Sequence, residues 1–111
     1  MEFAMLAKGE HVLNDDQLAR TLKSVGKTCF IRFFHEFSST TMSREDIIHK
    51  LRVETNYTEG SCVSRVSHAR RIFSAGLAAK ALNIIISSNS KVISEEIRVK
   101  AQQLIKLLAS Q

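Results

Sequence analysis

From Leu18 onward, the apolar residues Leu18, Leu22, Val25, Cys29, Phe33 and Phe37 recur at steps of three and four, which is the spacing of one helix face. Asn14 stands ahead of them as an N-cap residue, and Asp15 and Asp16 follow where carboxylates suit the helix dipole. Gly26 interrupts the run and predicts a split into two helices. Ser38-Ser39-Thr40-Thr41 is a polar connection. Ser43 then caps a new helix, with Glu45 and Asp46 in its first turn and Ile47, Ile48 and Leu51 as its stripe. Asn56-Tyr57 is a turn, and Thr58 caps the next helix. At 100° per residue, Cys62, Val63, Val66, Ala69 and Phe73 share one arc of that helix, opposite Ser61, Ser64, Arg65, Ser67, His68 and Arg71. Arg70 falls in the apolar arc and Ile72 in the polar one, as expected where a neighbour or a subunit touches the edge. Gly76 is a natural stop. Leu77 to Ile86 is apolar almost all round, so it is expected deep in the fold or at an interface. After the loop Ser87-Ser88-Asn89-Ser90, Ser94 caps a last helix whose apolar face is Ile97, Ala101, Leu104, Ile105 and Leu108.

These patterns predict an all-α fold: a compact orthogonal bundle of five or six short helices in a single domain, 14–111. An N-terminal arm, 1–13, precedes it, with a turn at Lys8-Gly9-Glu10. The chain has no proline and only four glycines, too few turn residues for a many-stranded sheet. At 111 residues it can bury a core without staples. Phe30, Phe33, Phe34 and Phe37 lie close together and are expected to form the centre of that core. Cys29 and Cys62 sit among apolar residues and read as buried thiols, not a disulfide framework. No stretch approaches the length of a membrane span, and the N-terminus lacks the pattern of a signal peptide; both point to a cytoplasmic protein.

The net charge of +5 matters chiefly through its placement. Gly60 to Ser94 holds Arg65, Arg70, Arg71, Lys80 and Lys91 and no acid, and a second acid-free run holds Arg20, Lys23, Lys27 and Arg32. Clustered positive charge favours an anionic partner, usually nucleic acid. The segment from Thr41 to Phe73, a short helix, a turn and a longer helix with a Ser, Arg and His face, resembles a helix-turn-helix. It departs from that pattern in having Asn56 where glycine is usual and in a turn a residue longer. The resemblance implies a small DNA-binding protein, a transcriptional regulator on double-stranded DNA. Its recognition helix would run from about 58 to 74. Arg65 and His68 would face base edges, Ser61, Ser64 and Arg71 would lie nearer phosphates, and Lys50 and Arg52 would add backbone contacts. Such proteins commonly pair, so Leu77–Ile86 and the C-terminal helix are expected as a homodimer seam. The alternative is a helical protein–protein interaction module, an adaptor or inhibitor of another regulator, suggested by the surplus of apolar residues at both ends. A third is a structural subunit of a larger assembly. A continuous positive patch around Arg65 and Arg71 would favour DNA; a broken patch beside an apolar groove would favour protein.

Other chemistry finds little support. Gly26-Lys27-Thr28 matches the end of a phosphate-binding loop, but Thr21 stands where that loop needs glycine, and the flanks are helical. His11, His35, His49 and His68 form no i, i+4 pair, and neither cysteine has a CxxC partner, so no metal or other cofactor is expected. The paired acids sit at helix starts, where capping explains them. No serine lies between glycines in a nucleophile elbow. The chain reads as non-enzymatic, with no small-molecule substrate and no membrane partner evident.

Overall fold

A computed structural model describes residues 13–88, 91 and 93–110. The arm lies outside the described residues except for Leu13, which is buried. Among the described residues the fold is all-helical, with helices α1 (Asp15–Val25), α2 (Lys27–Arg32), α3 (Phe34–Ser38), α4 (Arg44–Glu54), α5 (Glu59–Ser74), α6 (Ala78–Ser87) and α7 (Glu95–Ala109). The expected five or six helices become seven because the first apolar stripe breaks twice. Gly26 breaks it at φ +91°, and Phe33 breaks it again at φ −111°, a point that no proline or glycine marks.

The helix starts are written locally. Asn14 accepts from the Gln17 backbone N–H at 2.7 Å while Gln17 Oε1 accepts from the Asn14 N–H at 3.0 Å, a complete capping box. Ser43, Thr58 and Ser94 likewise accept from the N–H groups of Asp46, Ser61 and Ile97. The end of α5 is as clear. Gly76, at φ +74°, donates to the Phe73 carbonyl while Leu77 donates to that of Ile72, the paired bonds of a Schellman stop.

The core forms around the phenylalanines. Phe30, Phe33, Phe34 and Phe37 are all buried, and Phe73 of α5 completes the group. Phe30 stacks on Phe73 at 5.6 Å, and Phe34 meets Phe73 edge-on at 5.0 Å. Each such ring removed from water contributes roughly 1.5–3 kcal/mol, with a further increment for the ring pairing.

α5 is the central element. It packs on α1, α3, α4 and α6, and α7 lies on α6 and reaches α2. Enclosure on several sides widens its buried surface beyond the single arc that its sequence draws. Cys62, Val66, Ala69 and Ile72 are buried, whereas Val63 and Phe73 are only half-buried. Ile72, read from the sequence as a residue of the polar side, is fully inside. What remains exposed is Glu59 at the start and a narrow stripe: Gly60, Ser64, Ser67, Arg71 and Ser74.

α6 is covered by α1, α5 and α7 of its own chain. Ala81, Leu82 and Ile85 are buried, and Ile84 and Ile86 are half-buried. Its all-round apolar sequence is therefore largely met within one chain and is not by itself a reason for a second copy.

Candidate functional site

The seven residues expected on a DNA-reading face do not stay together. Arg65 turns inward. Its Nη1 donates to the Val25 carbonyl at the end of α1 at 2.7 Å, its Nε donates to Ser61 Oγ at 2.9 Å, and its guanidinium lies 3.8 Å from the centre of the Tyr57 ring. Arg65, expected at base edges, here ties α5 to the α1–α2 junction. Ser61 is half-buried beneath it as its acceptor. Gly26 makes room for the contact, since a Cβ there would sit 2.6 Å from Arg65 Nη1. The Cys29 thiol belongs to the same cluster. Burial pushes it above its ordinary value, and the nearby Arg65 guanidinium only partly opposes that. Cys62 is raised for the same first reason, and both thiols are free and buried, as their apolar settings suggested.

Lys50 and Arg52 are engaged by carboxylates. Lys50 Nζ lies 2.9 Å from Glu36 of α3 and 3.6 Å from Glu54. Burial pushes the Glu36 carboxyl up, but the hydrogen bond and charge of Lys50 outweigh it and hold the group below its ordinary range. The same hydrogen bond raises the Lys50 ammonium. Arg52 pairs with Glu59 at 3.3 Å, across the turn between α4 and α5. The α4–α5 pair is present as two packed helices, yet two consecutive helices in contact do not by themselves define a DNA-reading unit.

Three of the seven carry neither a carboxylate partner nor the inward tie of Arg65 and Ser61. Ser64 and Arg71 are exposed; His68 is half-exposed, its Nδ1 2.7 Å from the Ser64 carbonyl. Two residues outside the seven join them: Ser67, which the sequence placed on the polar arc, and Arg44 of α4, which donates to Ser67 Oγ at 3.1 Å. No local signal could have found that bond, because its partners belong to different helices.

The remaining charge is dispersed by the same logic. Lys80 lies 3.5 Å from Asp15. Arg32 donates to the Glu54 carbonyl at the end of α4, and Lys27 Nζ lies 3.4 Å from Ser88 Oγ. A segment free of acid in sequence thus meets acids and carbonyls in space.

Two open clefts border these helices. One, between α4 and α5, holds about 380 Å³ and is lined by mixed charge, including Arg44, Glu45, Arg52 and Glu59. The other lies between α1 and α6. It holds about 490 Å³, has mostly apolar walls, and is lined by Asp15, Leu18, Ala19, Lys80, Asn83 and Ile84. Among the described residues no three His, Cys, Asp or Glu side chains are placed to hold a metal ion, and no helix is long and apolar enough to cross a membrane. Comparison with protein-family models, curated proteins and solved structures finds no match.

Proposed function

We propose that this chain is a non-enzymatic helical module that binds another protein, as an adaptor or inhibitor does. The observation that carries this reading is the broken basic face. Arg65 is committed to a backbone carbonyl and Lys50 and Arg52 to carboxylates, while a mostly apolar cleft lies between α1 and α6. A polyanion needs several cations free at once, because affinity grows with each phosphate neutralised. An open apolar trough is instead a common feature of protein recognition.

A second reading keeps one specific support. The exposed stripe of α5 carries Arg71 between small side chains, with Arg44 beside it, and such a stripe could lie close against duplex DNA. The two readings separate by the nature of covalent adducts. A photo-reactive side chain is placed singly at Ala19, Arg71 or Val99 of the full chain and irradiated in the cells that make it. Protein binding predicts discrete adducts destroyed by protease and indifferent to nuclease. Nuclease-sensitive adducts at Arg71, with salt-sensitive gel shifts on duplex DNA, would transfer the function to DNA contact.

A further inference from the structure

Arg70 lies on the apolar arc of α5 and is half-buried. Among the described residues its Nη1 is shut off from solvent and has no hydrogen-bond partner. No ion pair or hydrogen bond engages the rest of its guanidinium either. Buried N–H groups are nearly always paired, and leaving one unpaired on a cation costs free energy. Arg65, half-buried on the same helix, shows the ordinary outcome, met by a carbonyl, a hydroxyl and a ring.

Two more arginines stand beside Arg70. Ser67 precedes Arg70 and Arg71 by three and four positions, the spacing of helical neighbours, about 5–6 Å apart at Cβ. Side chains on a helix lean toward its N-terminus, so both arginines lie toward Ser67. Arg44 comes from α4 to the same place and donates to Ser67 Oγ at 3.1 Å. Arg44 and Arg71 are exposed, and neither forms an ion pair among the described residues. Glu45 and Asp46, next to Arg44 in the chain, pair with none of the three arginines. Ser67 and Ser74 are small and exposed, which leaves the ridge between the arginines open.

Three like charges within about one helical turn are best offset by one compact group of more than one negative charge. A carboxylate carries a single charge. Each phosphate of duplex DNA also carries one, and the rest of the duplex charge is spread along the strands. A phosphorylated side chain brings about −1.5 to −2 at neutral pH, with three acceptor oxygens in a small volume. Clusters of arginine read such groups on proteins.

We propose that Arg44, Arg70 and Arg71, around Ser67, are the docking site for a phosphorylated side chain of a partner protein. This rests on the protein-binding reading above and adds to it the chemistry of the partner. The phosphate sits at the open edge of the Arg70 guanidinium and draws the head outward, which frees Nη1 to find an acceptor.

The probe is N-acetyl-O-phosphoserine amide, titrated into the full chain at constant ionic strength and followed by the arginine Nε–Hε NMR signals. The signals of Arg70 and Arg71 should move together, with a dissociation constant on the order of 1 mM. Dimethyl phosphate, a singly charged diester like the nucleic-acid backbone, should bind at least about tenfold more weakly. Arg70→Met and Arg71→Gln should each weaken phosphoserine binding about tenfold, and Arg20→Gln, on α1, less than about twofold. Arg70→Met has a second readout, because an arginine held unpaired should gain stability when replaced by an apolar side chain of similar length. Its melting temperature without the probe should stay level or rise by about 1–4 °C. The rise that the probe gives the parent at about 10 mM should vanish in it. A marked fall in the melting temperature of Arg70→Met would show a structural anchor and overturn the proposal. No saturable shift up to about 20 mM, equal binding of the diester, or equal loss in Arg20→Gln does the same. The photo-crosslinking, with Ser74 added as a site that keeps all three arginines, separates the failures. Protein adducts at Ser74 that disappear when a phosphatase is co-expressed support the proposal. Protein adducts that persist there, or that form at Ala19 or Val99 alone, remove this site and leave the protein-binding reading, whereas nuclease-sensitive adducts alone remove both.

Discussion

α5 and α6 are neighbours in the chain and opposites in the fold. α5 is rich in Ser, Arg and His, the composition of a surface helix, yet it lies at the centre with four helices against it. α6 is apolar nearly all round, the composition of a buried helix, yet one side of it forms the wall of an open trough. The difference teaches that periodicity reports the contrast between faces and not the number of neighbours. A helix with one neighbour buries the arc that its sequence draws. A helix with four also buries residues at the arc's edges, and those need polar partners if they are polar. Arg65 is such a residue, and the Val25 carbonyl and Ser61 hydroxyl are its partners.

Substitutions can break or sharpen this contrast. The largest effect should come from Phe30→Ala, which removes the ring stacked on Phe73 of α5. It should cost about 3–5 kcal/mol in denaturant unfolding, and a midpoint within error of the parent would show that α5 is not held from that side. Next is Arg65→Ala, expected at about 2–3 kcal/mol because it leaves a carbonyl and a hydroxyl without their donor. Arg65→Lys should recover less than half of that, since an ammonium lacks the fork that serves both acceptors. Full stability in Arg65→Ala would return this residue to the surface. On α6 the contrast is internal: Ile85→Ala should cost at least about 2 kcal/mol, and Ile84→Ala, on the trough wall, about 1 kcal/mol. Equal losses would mean that the trough is closed in solution.

The pH response should be smaller. Burial raises the Cys29 thiol above its unfolded value, so the folded state favours the protonated form. Stability from this source is complete below the unfolded pKa, near about 8.5, and is lost as pH rises through the folded one. Thermal melts should therefore fall above about pH 8.5, and Cys29→Ala should flatten that part of the profile; an unchanged slope counts against a buried thiol. The smallest effect is assigned to Arg71→Ala. The side chain of this exposed arginine makes no bond among the described residues, so its loss should stay within about 0.5 kcal/mol.

Much of the fold was legible because caps and stops are local. Asn14, Ser43, Thr58 and Ser94 cap where their spacing to the next apolar run says they should, and Gly26 and Gly76 interrupt as expected. The phenylalanine cluster was equally plain. The break at Phe33 was not, because an aromatic residue in a continuous stripe gives no sign of it. The candidate site was hardly legible at all. The partners of Lys50 and Arg65 are Glu36 and the Val25 carbonyl, supplied by other helices. A run without acids predicts a positive surface only if the fold brings no acid to it, and Asp15 reaches Lys80 from the far end of the chain.

The bond from Arg65 to Val25 spans 40 residues, and this separation shapes how the molecule comes into being. As synthesis proceeds at about 5–20 residues per second, α1 to α3 emerge with their aromatic side chains uncovered for roughly 2–8 s before α5 follows. The α1–α3 stretch is then a sticky intermediate whose cover has yet to be translated. Codon speed between Val25 and Arg65 thereby becomes a determinant of yield. Slowing that stretch should increase capture by chaperones and aggregation without altering the finished protein.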